Sequence, residues 1–263
     1  MRTVISQDGT PIAFDQSGQG PALILVAGAL CARLSWSGPE LAQLLAPHFT
    51  VYNYDRRGRG DSGDTKPYVV VREVEDIEAL IDEAGGSAYL YGHSSGAALA
   101  LEATASLGEK VKKLALYEVP YNDEREAKLA WRAYIHHLTE ALAADHRGDA
   151  VALFMQYVGM PAEQIEAMRQ APTWPLLEAI APTLAYDHTA ILGKDWSVPI
   201  ERAARVRVPT LIMNGGASFP FMYETARTLS KAMPYAQLST LEGQGHAPAN
   251  DVLAPALKEF FLG

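Results

Sequence analysis

Short segments typical of strands recur along the chain, and most of them are largely apolar. They lie at residues 22–26, 50–54, 88–91, 111–118, 208–214 and 236–241. Runs of this length are short for helices, and a lack of strict apolar-polar alternation is typical of strands buried on both faces of a parallel sheet. Between the runs, apolar residues recur at helical spacing, as at Val70, Val74, Ile77 and Ile81. The pattern therefore predicts an α/β fold with a mostly parallel sheet.

Two segments depart from this alternation. Residues 2–6 and 11–16 flank the tight-turn pair Asp8-Gly9 and predict an antiparallel hairpin. Residues 121–205 contain no strand-like run, and aromatic residues are scattered there among helix formers and prolines. We interpret this segment as a helical cap over the carboxyl edge of the sheet, where open α/β sheets hold their sites. The chain is thus divided into a core of residues 1–120 and 206–263 and a cap of residues 121–205.

Residues 90–96 carry the most specific motif. The run ending at Tyr91 leads into Gly92-His93-Ser94-Ser95-Gly96, and an alanine-rich helix pattern follows from Ala97 to Leu107. A serine on so sharp a strand-to-helix turn lies in strained backbone, and the two glycines leave the space that the turn requires. Ser94 is therefore a candidate nucleophile. The amide of Ser95 opens the helix and is placed to donate to a developing oxyanion.

A histidine near the end of the sequence is placed to act with Ser94. His246 closes the glycine-rich segment Glu242-Gly243-Gln244-Gly245-His246, just past the last predicted strand at 236–241. An amphipathic helix pattern follows, with apolar positions at Leu253, Ala256, Leu257 and Phe260. Because the carboxyl ends of parallel strands meet at one edge of a sheet, we expect His246 to reach Ser94 and to serve as its general base.

Composition excludes several classes of partner. The net charge is −9, and the 22 lysines and arginines form no basic run, so we expect neither a nucleic acid nor an anionic membrane as partner. The first residues lack an apolar signal core and no stretch approaches the ~20 apolar residues of a membrane span, which predicts a cytoplasmic protein. The sole cysteine, Cys31, permits neither an internal disulfide nor a cysteine-based zinc site.

Two further patterns suggest a bound group, and neither has the required spacing. The cap contains four histidines without a carboxylate pair at metal-ligand spacing: His136, His137, His146 and His188. Residues 55–63 contain three glycines among charged residues but lack the Gly-Lys-Ser/Thr ending of a P-loop. We therefore interpret residues 55–63 as a structural loop and expect neither a metal nor a cofactor.

Together these motifs resemble the α/β-hydrolase superfamily, and the resemblance spans the whole chain from the hairpin to His246. The resemblance implies a mostly parallel eight-stranded sheet flanked by helices, a helical cap, and acyl transfer to water without a cofactor. In hydrolases with this elbow, the loop after an early strand supplies a second oxyanion donor, commonly from the residue after a His-Gly pair. Here that pair is Ala27-Gly28, so the amide of Ala29 is the candidate.

The acidic partner of His246 departs from the common family pattern. Many members carry an Asp three residues past a glycine after the penultimate strand, where this chain has Ser218 after Gly215. Other branches place the acid at the end of the strand after the elbow helix, and zearalenone-type lactonases look similar in having Glu followed by Pro there. Glu118-Val119-Pro120 matches that variant. We therefore predict a triad of Ser94, His246 and Glu118 and give this role to none of Glu224, Glu242 and Asp251.

We expect the substrate to be a small, mostly apolar molecule held under the cap. The residues predicted to contact it are Leu30, Arg33, Trp131, Tyr134, Phe154, Tyr157, Trp174 and Tyr186. For any single aromatic residue, packing between helices is the commoner role, and about a third of the cap aromatics should face the cavity. The sequence does not predict an oligomeric state.

A serine nucleophile favours hydrolysis of a carboxylic ester or lactone through an acyl-enzyme. It disfavours the haloalkane and epoxide chemistry that family members perform through an alkyl-enzyme ester on aspartate. Carbon–carbon bond hydrolysis and cofactor-free perhydrolysis use the same residues and stay open as alternatives. A non-catalytic receptor for a small ligand is a further alternative. The missing acid after the penultimate strand favours a receptor, whereas the intact Ser94 and His246 disfavour it.

Overall fold

The computed structural model describes all 263 residues, Met1–Gly263. Eight strands form one sheet: β1 (Arg2–Ile5), β2 (Pro11–Ser17), β3 (Ala22–Val26), β4 (Thr50–Tyr54), β5 (Ala88–His93), β6 (Val111–Tyr117), β7 (Thr210–Gly215) and β8 (Ala236–Leu241). Their spatial order is β1-β2-β4-β3-β5-β6-β7-β8. β2 pairs antiparallel with both β1 and β4, and the remaining pairs are parallel. The predicted α/β fold with a mostly parallel eight-stranded sheet is confirmed.

Ten α-helices accompany the sheet. They are α1 (Gly38–Leu45), α2 (Val70–Glu83), α3 (Ser95–Leu107), α4 (Arg125–Ala143), α5 (Arg147–Tyr157), α6 (Ala162–Arg169), α7 (Trp174–Ile180), α8 (Ile200–Ala203), α9 (Pro220–Ala232) and α10 (Asn250–Leu262). Helices α4 to α8 lie between β6 and β7, together with a π-helical turn at Tyr186–Ile191. No strand occurs in residues 121–205, the segment that we call the cap.

The sheet separates two apolar layers, which explains why a central strand such as β3 is apolar along its whole length. In β3, Ile24 and Val26 belong to a core of 46 buried residues, whereas Leu23 and Leu25 belong to a core of 17 residues on the other side. Successive strand residues point to opposite faces, so both faces require apolar side chains. The larger core includes cap residues such as Trp131, so the cap packs onto the body of the protein.

One helix was not predicted from the sequence. Helix α1 follows β3 and buries Leu41 and Leu45 against α10 in the smaller core. It has only eight residues, and its apolar positions span little more than one turn, which gives weak periodicity. No helix of the protein combines the length and the apolar character needed to cross a bilayer.

Candidate active site

Ser94 lies between the end of β5 and the start of α3. Its backbone has φ +56° and ψ −127°, a conformation that residues with a side chain rarely adopt. A Cβ on Gly92 would lie 2.6 Å from Cα of Ala97, and one on Gly96 would lie 2.3 Å from the carbonyl oxygen of Val26. Both positions therefore require glycine, as the elbow motif predicts.

Glu118 follows β6 and contacts His246. Nδ1 of His246 lies 2.6 Å from Oε2 of Glu118, whose carboxylate is completely buried. The same carboxylate accepts from the amide of Gly215 at 2.9 Å and from the hydroxyl of Ser218 at 2.8 Å. Burial alone would raise the pKa of Glu118, but the hydrogen bonds from His246, Gly215 and Ser218 hold that pKa below its usual value. The structure thus brings together two predicted site residues that are far apart in sequence.

Two side chains hold the backbone of the loop that carries His246. The hydroxyl of Tyr117 donates to the carbonyl of Gly245 at 2.5 Å, and Nε2 of His93 lies 2.8 Å from the carbonyl of His246. Because a carbonyl only accepts, this bond requires the proton of His93 on Nε2. Burial and the nearby His246 ring lower the pKa of His93 to about 4, so its ring is neutral at pH 7. No sequence motif singled out His93 or Tyr117 for this role, although each directly precedes a predicted catalytic residue.

The loop after β3 packs directly against Ser94. A Cβ on Gly28 would lie 3.1 Å from Cβ of Ser94 and 3.7 Å from its Oγ. The amides of Ala29 and Ser95 donate to no backbone carbonyl in the loops and helix caps. Leu30 is buried beside them. The predicted oxyanion donors are therefore on two segments that meet at Ser94, and neither amide is committed to backbone structure.

Backbone strain is concentrated at this edge of the sheet. Five residues other than glycine have positive φ, and three of them are Leu30, Ser94 and Glu118. Left-handed backbone costs a residue with a side chain about 1–3 kcal/mol, and it persists only where surrounding contacts impose it. Such strain is typical of active sites.

Four of the six aromatic cap residues predicted to contact substrate form one cluster. The ring of Tyr157 lies 5.5 Å from that of Trp131 and 4.5 Å from that of Tyr134. Phe154 joins them through His188, at 5.1 Å between ring centroids. His188 also pairs through Nδ1 with the hydroxyl of Tyr134 at 2.8 Å, and burial lowers its pKa to about 4. This cluster is apolar except for one neutral histidine–tyrosine pair.

The other two aromatic residues are directed elsewhere. Trp174 donates from Nε1 to Glu178 at 3.0 Å, within its own helix α7. Tyr186 donates to Asp64 at 2.8 Å and stacks on Tyr68 with the ring centroids 3.7 Å apart. Their contact with substrate stays a prediction that these side-chain directions do not favour.

Arg33 is buried among carboxylates. Its Nη2 donates to Asp61 at 2.6 Å, Nε lies 3.5 Å from Asp55, and Nη1 lies 3.4 Å from Asp15. Three acidic groups therefore surround this guanidinium, and they leave no free positive charge for a substrate anion. Its predicted contact with substrate also stays untested, and these ion pairs do not favour it.

Residues 23–256 match the model of the alpha/beta hydrolase family. The chain belongs to this family. A solved alpha/beta hydrolase from Sphaerobacter thermophilus is 49% identical, with a TM-score of 0.88, over 99% of this chain and 100% of the other. The predicted superfamily is therefore confirmed, and the protein is a hydrolase.

Other proteins similar to this chain carry named activities. N-formylmaleamate deformylase of Pseudomonas putida is 33% identical over 131 residues, and the match spans 47% of each chain, about half the length of that relative. A putative carbamate hydrolase of Azorhizobium caulinodans is 25% identical over 95% of this chain and 93% of the other. An enol-lactonase structure from Burkholderia xenovorans, at 20% identity and a TM-score of 0.70 over 100% of both chains, shares the fold.

Proposed function

We propose that this hydrolase cleaves a carboxylic ester or lactone through an acyl-enzyme on Ser94. The observation that carries the proposal is the 2.6 Å contact between Nδ1 of His246 and the buried carboxylate of Glu118. A hydrogen bond from Nδ1 selects the ring tautomer whose Nε2 is free to accept a proton. The ionised Glu118 then stabilises the imidazolium that forms when Ser94 reacts.

The reaction follows from these roles. Oγ of Ser94 attacks the acyl carbon while Nε2 of His246 takes the hydroxyl proton. The carbonyl oxygen becomes an oxyanion, which the amides of Ala29 and Ser95 stabilise. His246 then returns its proton to the departing alkoxide, and the alcohol leaves. Water repeats the sequence on the acyl-enzyme, releasing the acid and restoring Ser94.

The proposed substrate is small, uncharged and mostly apolar. The guanidinium groups of Arg33, Arg56 and Arg59 are all engaged by carboxylates, and the net charge is −9. An anionic substrate would therefore meet an unfavourable field without a cation to bind it. Uncharged esters should have the higher kcat/KM, and an anionic ester preferred by about tenfold would contradict this part of the proposal.

A second candidate is hydrolysis of a carbon–nitrogen bond in a formamide or carbamate. The names of two relatives, a deformylase and a putative carbamate hydrolase, favour it. The same groups serve this reaction, with His246 protonating the departing nitrogen. Carbon–carbon hydrolysis, perhydrolysis and a receptor role use the same site but have no separate observation in their favour.

The test is a substrate panel combined with active-site labelling. The purified protein is given p-nitrophenyl butyrate, a small lactone, an N-formyl amide and a carbamate, and a fluorophosphonate is used to label the nucleophile. We expect a burst of p-nitrophenol and a single label on Ser94. Ser94→Ala should fold normally and lose turnover by on the order of 10⁶-fold.

The outcomes separate the candidates. Faster turnover of the formamide or carbamate than of any ester or lactone would replace the primary proposal with carbon–nitrogen hydrolysis. Absence of label and of turnover would support the receptor. Activity that survives Ser94→Ala would overturn the nucleophile assignment itself.

A further inference from the structure

A buried ionic cluster lies behind the proposed oxyanion hole and joins it to the cap. The cluster consists of Arg56, Glu73, Arg59 and Asp187, each with at most 1% of its surface exposed. Asp187 lies in the π-helical turn of the cap, and the two arginines come from the loop after β4. We infer that Asp187 is a positioning residue that orients both halves of the oxyanion hole. This inference rests on the proposed function, since the hole is needed only if Ser94 is acylated.

The first half of the hole is held by a direct contact. Oγ of Ser95 donates to Oδ1 of Asp187 at 2.8 Å. Ser95 is the first residue of α3, and its own amide is the predicted oxyanion donor. The contact therefore ties the residue carrying that amide to a side chain of the cap, and a shift of the cap turn would move the start of α3.

The second half of the hole is held through Arg59. Nη2 of Arg59 donates to Oδ2 of Asp187 at 2.6 Å, while Nη1 donates to the carbonyl of Gly28. The carbonyl of Gly28 and the amide of Ala29 belong to one planar trans peptide, so they point in opposite directions. Holding the carbonyl of Gly28 therefore sets the direction in which the Ala29 amide points. A donor on that carbonyl also polarises the peptide, which makes the amide a stronger donor.

Arg56 and a second bond from Arg59 brace the same loop. Nη1 of Arg56 lies 2.7 Å from Oδ1 of Asp187 and 3.2 Å from the carbonyl of Ala27. Nη1 of Arg59 also donates to the carbonyl of Cys31 at 3.2 Å. Each bonded carbonyl lies within two residues of the Ala29 amide. Without Asp187, Arg59 would lose its carboxylate partner, and Arg56 would keep only Glu73.

The formal charges of the cluster balance. Glu73 binds Arg56 through two hydrogen bonds of 2.7 and 2.8 Å, which leaves two cations and two anions. Burial alone would raise the pKa of Asp187, but Arg56 and Arg59 hold it below the usual value. Bonds between charged groups in a buried, low-dielectric setting are strong and directional. The cluster is therefore suited to fixing atomic positions.

The same loop contains a matched control. Arg57 is fully buried and makes two bonds, of 2.8 and 2.7 Å, to Asp76, which is also buried. Its other partners are Asp8 at 2.9 Å and the carbonyl of Arg72 at 3.0 Å. No partner of this pair belongs to the oxyanion loop or to α3. Asp76→Asn therefore removes a buried carboxylate from an arginine without touching the proposed oxyanion hole.

The experiment compares Asp187→Asn and Asp76→Asn with wild type. Melting temperature, kcat and KM are measured on the best substrate of the panel, with the affinity for phenylboronic acid, which forms a tetrahedral anionic adduct on serine. Asp187→Asn should lower kcat by about tenfold or more and weaken the boronate by a similar factor, with KM within about threefold. Both variants should lower the melting temperature. Asp76→Asn should keep kcat and boronate affinity within about twofold of wild type.

Ser95→Ala keeps the test informative if Asp187→Asn does not fold. This variant retains the backbone amide and removes only the hydroxyl that donates to Asp187. Ser95→Ala should lower kcat by a few fold. If Asp187→Asn does fold, the double variant should lose less activity than the product of the separate effects, because the two side chains act together.

Three results would overturn the inference. They are equal loss of kcat in Asp187→Asn and Asp76→Asn, unchanged boronate affinity in Asp187→Asn, and unchanged kcat in Ser95→Ala. Fluorophosphonate labelling of the wild type separates this failure from failure of the proposed function. A labelled Ser94 with an unaffected Asp187→Asn refutes the positioning role alone, whereas an unlabelled wild type refutes the acyl-enzyme and with it the inference.

Discussion

Glu118 at the sheet edge and Asp187 at the junction with the cap are both completely buried carboxylates, and different groups surround them. Glu118 accepts from a backbone amide, a hydroxyl and the ring of His246. Asp187 accepts from a hydroxyl and two arginines. Both have a pKa below the usual value. A lowered pKa therefore does not distinguish the role of Glu118 from that of Asp187, whereas the charge of the groups that contact each carboxylate does.

The partners indicate when each carboxylate is needed. The partners of Asp187 carry permanent positive charge, because arginine does not lose its proton in proteins. Among the partners of Glu118, only His246 can become positive, and it does so when it accepts a proton. In the proposed mechanism, Glu118 therefore responds to a charge that appears during turnover, whereas Asp187 serves a fixed framework.

Glu118→Gln should have the largest effect of the substitutions that test this contrast. It keeps the shape of the side chain and removes the charge that stabilises the imidazolium, so kcat should fall by at least about 10²-fold with little change in KM or melting temperature. Asp187→Asn should instead reduce the free energy of unfolding by about 3–5 kcal/mol, because it leaves the buried Arg59 without a carboxylate partner and Arg56 with only one. Steady-state kinetics and thermal melts of both variants check the contrast.

Glu224→Gln and Glu242→Gln are the controls. Glu224 is exposed in α9 and pairs with Arg227, and Glu242 is exposed in the loop after β8. Both variants should stay within a few fold of wild type. Wild-type kcat in Glu118→Gln would remove the third member of the triad and favour a dyad or a receptor.

The proposed triad could be predicted from the sequence because its residues follow the carboxyl ends of strands. Ser94, Glu118 and His246 follow β5, β6 and β8, and parallel topology brings such positions together whatever the intervening sequence. Short motifs then indicated the residue types. The sequence therefore supported both the family and the proposed triad without a model of the cap.

The cap junction was not predictable in the same way. Asp187 is 131 residues from Arg56, and no local motif marks it. Its contact depends on how the cap helices pack and on a π-helical turn, which hydrophobic periodicity does not reveal. For the same reason, the sequence did not reveal the hydrogen bonds of Trp174 to Glu178 and of Tyr186 to Asp64. The sequence likewise did not reveal that Asp15, Asp55 and Asp61 surround Arg33.

A carboxylate placed at position 218 should partly restore the turnover that is lost when Glu118 is shortened. Ser218 Oγ lies 2.8 Å from Oε2 of Glu118, the atom that His246 contacts. An aspartate at position 218 reaches one bond further than serine, so its carboxylate can occupy that space when Glu118 is shortened. Glu118→Ala/Ser218→Asp should therefore have a kcat about tenfold above that of Glu118→Ala. Glu118→Ala/Ser218→Asn has the same shape without the charge and should show no recovery; equal recovery in both would refute the electrostatic explanation.

His188 follows Asp187 in sequence, and its substitution should change stability and have little effect on turnover. Burial lowers the pKa of His188 to about 4, against 6.5 for an exposed histidine. The unfolded chain therefore takes up a proton between pH 6.5 and 4 that the folded protein refuses, so stability falls as pH falls through this window. The loss should reach up to about 3 kcal/mol for this residue. Glu118 and Asp187, whose pKa values are lowered from 4.5 and 3.8, lose their contributions to stability only below those values.

Urea unfolding of wild type and His188→Asn at pH 7 and 5 checks this expectation. The free energy of unfolding should depend less on pH in the variant, with kcat at pH 7 within a few fold of wild type. His93 has a similarly lowered pKa and is unchanged in both proteins, so an equal slope would show that His188 does not contribute to this pH dependence.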